Sequence, residues 1–357
     1  MTRKRVALFL LIFSASTVLA ACGEDNKSDE GSSGTSTGAG STKLSGTINV
    51  SGSSTVAPIT TRVKEKFGEK EPDVKINVDG PGTGDGFVLF CKGETDISDA
   101  SRAIKKAEAD DCKAAGIEFI ELKVAIDGMA VMTHPSNSAV TCLSLADLYA
   151  LIGPEAKGFK KWSDASAIGK ELGSKVTYPS ANLDIYGPGE ESGTYDSFIE
   201  LAIEPIGKKR LEAGKIKKGD EKTTRPDYSS SGDDNIIIQG IGGSKSSLGW
   251  VGIAYANEQG DKVKKLQLSK EAGGTCVDST DENIASAKYP LSRYLYIYVN
   301  AAKEKASPAI GAFVDYYLAD GISAVPEVKY VALADADLTA TKAVWTARTV
   351  GTRDGGN

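Results

Sequence analysis

One histidine, His134, stands among the 357 residues. That scarcity excludes any metal site built from clustered imidazoles, and it leaves a Ser-His-Asp triad a single side chain to use. His134 precedes Pro135 in an expected loop, which suits a surface or interdomain histidine, and no Gly-x-Ser-x-Gly elbow lies between a strand and a helix. The five cysteines include no Cys-x-x-Cys pair, so a zinc site has neither thiolate nor imidazole spacing to rest on. A surplus of positive charge is missing too. Against 48 Asp plus Glu there are 42 Lys plus Arg, a balance of −6, and nucleic acid, which is held by neutralising its phosphates, is not an expected partner. Nucleotide motifs fail as well. Gly243-Ser244-Lys245-Ser246 lacks the Gly-Lys pair of a Walker loop, and the run Gly80 to Gly86 has Asp85 or Phe87 where a dinucleotide fingerprint needs its third glycine. Acidic residues are plentiful, yet no spacing singles out a carboxylate pair for glycosidic chemistry, and Asp233-Asp234-Asn235 lacks the alternation of a calcium loop. The reading is of a non-enzymatic chain without cofactor or metal.

Long apolar runs are equally scarce. The longest, Val6 to Ala21, has 16 residues behind the basic leader Thr2-Arg3-Lys4-Arg5. A spanning helix needs about 20, so the run reads as a secretory signal. It ends Leu19-Ala20-Ala21-Cys22, which resembles the lipobox of bacterial lipoproteins. The resemblance implies that residues 1–21 are removed and that Cys22 is lipidated, anchoring an otherwise soluble chain by acyl chains at about 0.8 kcal/mol per buried methylene. Cleavage would take away three basic and no acidic residues, leaving 39 against 48, or −9. Residues 22–43 collapse to Gly, Ser, Thr, Ala and a few charges, a composition that cannot offset its ordering entropy and reads as a flexible spacer.

Four cysteines remain: Cys91, Cys112, Cys142 and Cys276. In an exported chain an even number implies two disulfides. Of the three connectivities, Cys91–Cys112 with Cys142–Cys276 is preferred because the first closes a local loop. From Leu44 onwards, strand and helix patterns alternate. Strand-like segments are expected at Leu44 to Val50, Val74 to Val78, Thr95 to Ser98, Val124 to Thr133, Ile236 to Gln239, Leu248 to Ala254 and Tyr294 to Val299. Helical ones are expected at Pro58 to Phe67, Phe87 to Gly93, Ser144 to Ile152, Tyr195 to Ile203 and Pro308 to Leu318. The alternation predicts an α/β architecture with ligands at the strand ends.

Three turns place small hydroxyl residues just before a helix: Gly52-Ser53-Ser54-Thr55, Gly82-Thr83-Gly84 and Glu191-Ser192-Gly193-Thr194. A helix N-terminus presents unpaired N–H groups and about half a positive charge. Ser and Thr add hydroxyl donors there, and Gly admits a ligand close to the backbone. One such turn is ordinary capping; three in one chain point to a tetrahedral oxyanion.

Gly52-Ser53-Ser54-Thr55-Val56-Ala57-Pro58, Asp96-Ile97-Ser98-Asp99-Ala100-Ser101-Arg102, Tyr186-Gly187-Pro188-Gly189-Glu190-Glu191-Ser192-Gly193-Thr194, Asp227 to Asn235, Leu248 to Tyr255 and Tyr289-Pro290-Leu291-Ser292-Arg293 resemble the PstS-type phosphate-binding proteins. The likeness runs in the family's order from Leu44 to about Leu333. It implies a two-lobed periplasmic-binding-protein-like (type II) α/β fold that closes on its anion by a hinge. Residues 44–127 plus 289–357 would form lobe one and residues 128–288 lobe two. It further implies an extracytoplasmic, membrane-anchored monomer that binds inorganic phosphate and hands it to an ABC importer of permease and ATPase.

Carried over by position, the phosphate ligands would be Ser54, Thr55, Thr83, Ser101, Arg102, Ser192, Gly193 and Thr194, with Arg102 as the two-pronged charged contact. Two departures stand out. The family pattern has an arginine four residues before Ser-Gly-Thr, where this chain has Pro188, and an aspartate where this chain has Ser101. That aspartate accepts the phosphate proton and repels sulfate; here Asp85 and Asp127 are the candidates for its role. Receptors of the same fold for sulfate, molybdate or tungstate, or an anchored sensing or adhesion protein without an importer, are the alternatives.

Overall fold

The computed structural model describes residues 44–190 and 192–353. The expected signal peptide, the expected lipidation site Cys22 and the expected spacer all lie outside the described residues, as does Glu191. Eleven strands are described among them: β1 Gly46–Gly52, β2 Val74–Asp79, β3 Ile97–Ala100, β4 Phe119–Thr133, β5 Cys142–Ser144, β6 Asp184–Gly187, β7 Ser229–Ser230, β8 Ser247–Gly252, β9 Lys264–Lys265, β10 Gln267–Ser269 and β11 Ser292–Asn300. Nine join in the order β2-β1-β3-β11-β4-β8-β6-β7, with β9 also on β4, while β5 and β10 pair separately. β1 lies parallel to both β2 and β3, as helical crossovers require, and β11 runs antiparallel to β3 and β4.

β4 organises the two lobes. Its 15 residues are buried except for half-buried Lys123, the near-continuous apolar signature of a strand covered on both faces. Up to Gly128 it pairs with β11, and from Met129 to Met132 it pairs with β8. Two hydrophobic cores meet along it. Ile120, Leu122, Val124 and Ala125 belong to the core of Ile48, Val63, Phe67 and Phe313, whereas Ile126 and Met129 to Met132 belong to that of Leu148, Phe198 and Trp250.

The helix Ala57–Lys70 buries Ile59, Val63 and Phe67, one face at a spacing of four. Phe67 meets Phe313 edge-on at 5.4 Å between centroids. Truncating a buried phenylalanine of this kind to alanine costs about 3–5 kcal/mol.

Several elements differ from the sequence reading. Ile236 to Gln239 is not a strand but part of the helix Asp234–Gly243. The Asp233 side chain caps that helix by accepting from Asn235 N at 2.8 Å. Ile237, Ile238 and Ile241 then pack inward while Ile236 stays exposed; the cap and the tertiary contact override the β-preference of three isoleucines. The second helix begins at Thr83, four residues before Phe87, because Gly86 is part of it. A Cβ there would stand 2.4 Å from Gly52 Cα. The brief strand shifts to Ile97–Ala100, and the stretch after Gly252 turns helical at Ile253–Asn257. Both preferred disulfides are present, Cys91–Cys112 and Cys142–Cys276. Among the described residues no helix is long and apolar enough to cross a membrane.

Candidate functional site

The first hydroxyl turn leaves β1 at Gly52, whose φ is 149°. A Cβ on Gly52 would lie 2.0 Å from Asp99 O, so only glycine lets the turn pass so close to β3. Ser53 is turned inward: its N–H donates to Asp99 O at 2.8 Å, and its hydroxyl accepts from Thr55 N at 3.2 Å and Val56 N at 3.4 Å. That local pattern leaves the side chains of the next two residues for other elements. Ser54 is exposed and donates to the Asp196 carboxylate at 3.2 Å. Buried Thr55 receives Arg293 Nη2 at 3.5 Å.

The second turn is tied onto the first by Gly82 N donating to Gly52 O at 2.8 Å. It brings Thr83 Oγ1 to 2.9 Å from Ser101 Oγ at the end of β3, and Ser101 N donates to Thr83 Oγ1 at 3.1 Å. Both side chains are buried. Ser101 Oγ donates in turn to Glu200 Oε2 at 3.2 Å.

The third turn starts a helical run in lobe two. Ser192 caps it by accepting from Thr194 N at 3.2 Å, and Gly193–Phe198 continues through a π turn, Ile199–Ile203, into Glu204–Glu212. The first stretch of this run presents Asp196, Ser197 and Glu200 to lobe one. Single π turns of this sort recur at functional sites.

Arg102 is placed elsewhere. Its guanidinium forks onto Glu108 at 2.7 and 2.8 Å and lies 5.6 Å from the centroid of the Phe87 ring. Burial alone would push the Glu108 carboxyl up, but the Arg102 fork and the Lys105 N–H hold it below its ordinary range. The guanidinium between the lobes belongs instead to Arg293 on β11. It donates to Ser197 Oγ at 2.9 Å, to Asp127 at 3.3 Å, and to Glu200, and its side chain is nine-tenths buried. Burial opposes its charge, yet Asp127 and Glu200 outweigh that opposition and raise its pKa. Asp196 is raised as well, first by burial and further by Glu200, against the Ser54 hydrogen bond. Asp85 stands exposed in the first turn of the helix Thr83–Cys91.

The structure therefore brings Ser54, Thr55, Thr83 and Ser101 together with the helix that Ser192, Gly193 and Thr194 begin. Arg293, Asp196, Ser197 and Glu200 were not singled out from the sequence. Arg293 ends the motif Tyr289-Pro290-Leu291-Ser292-Arg293, and the spacing of four between Asp196 and Glu200 marks one helix face; neither signal says which surface is met. A cavity of about 1040 Å³ opens in lobe two beside Pro154, Lys215 and Thr224. None of the predicted ligands lines it, and a small tetrahedral anion calls for convergent donors rather than volume. His134 is half-buried, with Nδ1 engaged by Ser136 N at 3.0 Å and Ser136 Oγ at 2.8 Å.

Comparison with known proteins finds relatives over most of the chain. Protein SphX of Synechocystis is 34% identical over 316 residues, covering 88% of this chain and 86% of its own length. The phosphate-binding protein PstS of Staphylococcus saprophyticus is 30% identical over 325 residues, covering 91% and 89%. A crystal structure of a possible phosphate-binding protein from Planctomyces limnophilus superposes with a TM-score of 0.75 at 35% identity, covering 86% of this chain and 99% of that one. The model of the PBP superfamily domain matches residues 37–320. With its two lobes strung on β4, the chain belongs to the PBP superfamily, alongside the SphX and PstS proteins.

Proposed function

We propose that the chain is an extracytoplasmic receptor that binds inorganic phosphate between its lobes and delivers it to an ABC importer, held at the membrane by a lipid on Cys22 and acting as a monomer. Its lobes would be residues 44–127 plus 289–357 and residues 128–288. The observation that carries the reading is that Ser54 and Ser101 reach across one cleft to Asp196 and Glu200 on the helical run that Ser192, Gly193 and Thr194 begin, with Thr83 on Ser101 and Thr55 on Arg293 beside them. Hydroxyls and helix N–H groups bind oxyanion oxygens without needing a counter-charge for each. Arg293 supplies the cleft's positive charge, and Arg102 joins it only by leaving Glu108.

The acids favour phosphate over sulfate. Asp127, Asp196 and Glu200 surround the single Arg293. A fully ionised anion meets repulsion there, whereas one that still carries a proton donates it to a cleft carboxylate, Asp127 or Asp196. Calorimetry with phosphate, sulfate and molybdate at pH 6 and pH 8 tests this reading. Phosphate heat at both pH values with none from sulfate is expected; absence of phosphate heat at both removes the proposal.

A further inference from the structure

Beyond residue 320, where the family match stops, the C-terminal segment returns to the cleft. Val331 exchanges both backbone hydrogen bonds with Ile126, at 2.8 and 2.9 Å, where β4 passes from one core to the other. Lys329 has left-handed backbone, φ 66°, and its ammonium lies 4.9 Å from the centroid of the Tyr255 ring in lobe two. Tyr330 N donates to Val325 O at 3.2 Å, and Val325 is in the lobe-one core. The segment is thus a strap fastened to both lobes, and the residue between its two anchors is aimed rather than free.

That residue is Tyr330. Its hydroxyl lies 3.7 Å from the point a Cβ on Gly193 would occupy, directly beside the third hydroxyl turn. The charged groups that act on it are Asp127, Arg293 and Asp196. Among the described residues the hydroxyl takes part in no hydrogen bond. Burial, then Asp127 and Asp196, push its ionisation well up against the pull of Arg293, so the phenol keeps its proton and is available as a donor.

We propose that Tyr330 is a ligand of the bound anion, its hydroxyl donating to an oxygen held at the Ser192-Gly193-Thr194 turn. The proposal rests on the oxyanion-receptor reading above and adds to it a donor from a third stretch of chain. A neutral phenol contributes a hydrogen bond without adding charge beside Arg293. Because the strap is fastened to both lobes, this donor meets the anion only when the Gly193 turn and β4 are brought together.

Full-length protein and its Tyr330→Phe variant, titrated with inorganic phosphate by calorimetry, decide the matter. Phenylalanine keeps the ring and therefore the packing. Loss of one hydrogen bond to a charged ligand predicts affinity weaker by about 10- to 100-fold with an unchanged melting temperature; affinity within about twofold of wild type overturns the proposal. Fluorine NMR of 3-fluorotyrosine-labelled wild type gives a second reading. The resonance absent from the variant's spectrum should move with added phosphate along the calorimetric binding curve, and a resonance that stays still overturns the assignment even if the variant folds badly. A wild-type protein with no phosphate heat defeats the receptor reading itself, an outcome distinct from normal wild-type binding with an indifferent Tyr330→Phe.

Discussion

Ser101 of lobe one donates to Glu200 Oε2 of lobe two at 3.2 Å, and the same oxygen receives Arg293. One carboxylate oxygen thus sits on two donors that the receptor reading offers to phosphate. An anion entering the cleft competes with Glu200 for Ser101 and Arg293. Glu200→Gln weakens the internal competitor while keeping its size, and phosphate affinity should rise by about 3- to 10-fold, the effect of one modest charged hydrogen bond. Calorimetry reads it directly; lower affinity would show instead that Glu200 helps to hold the ligand.

The two arginines make opposite predictions. Arg293→Ala removes the cleft's guanidinium and should weaken phosphate binding by at least about 1.5–3 kcal/mol. Arg102→Ala removes the partner of Glu108 and should leave affinity within about twofold while lowering stability by about 1 kcal/mol, since that pair is only partly buried. Titrating both variants separates the roles. A binding loss confined to Arg102→Ala would mean that Arg102 leaves Glu108 to meet the anion.

The neighbouring serines of the first turn should part company. Ser53 is spent on Thr55 N and Val56 N, so Ser53→Ala should cost about 0.5–2 kcal/mol of stability, as a lost cap does. Ser54 faces Asp196 across the cleft, and Ser54→Ala should lower affinity with little change in melting temperature. Equal effects of the two on binding would contradict the inward turn of Ser53.

A pH dependence of stability is built into β3. Asp99 is completely buried, holds the Thr60 hydroxyl at 3.0 Å, and has its other oxygen unpartnered. Burial raises its pKa to about 7, against the Thr60 hydrogen bond. Tyr317, bonded to Thr60 at 3.2 Å, is the titratable neighbour. Between pH 4 and pH 7 the folded chain holds this proton while the unfolded chain has released it, so stability falls as pH rises through that window. The loss is about 4 kcal/mol at most. Denaturant titrations from pH 4 to pH 8 should show the slope, and Asp99→Asn should flatten it; a slope that persists in the variant assigns it to other groups.

Much of this architecture is legible in the chain. The helix Pro308–Leu318 appears at its predicted bounds, as does the end of β4 at Thr133, because period and burial agree there. Ile236 to Gln239 misleads because three β-branched residues are read without the Asp233 cap that makes them helical. The start of the helix at Thr83 is hidden because Gly84 and Gly86 look like a turn until Gly52 is seen packed against Gly86.

The site divides along the same line. Hydroxyl donors at helix starts are local chemistry, so the turns of Ser54 and Thr55, of Thr83 and of Ser192-Gly193-Thr194 stand out by residue type and spacing, whereas Ser101, which follows β3, is named only through the family resemblance. Which charge meets them is not local. Arg102 lies next to Ser101 in sequence, yet Glu108, six residues on, takes its guanidinium. Arg293 reaches the cleft from β11 because that strand lies against β4 with Arg293 opposite Asp127. Tyr330 reaches it from a strap that only the pairing of Val331 with Ile126 holds in place. Sequence by itself determined that this acidic chain carries donors for a small oxyanion. The tertiary structure decided which arginine, which carboxylates and which tyrosine stand among them, because a side chain's reach of a few ångströms turns on packing between segments far apart in the chain.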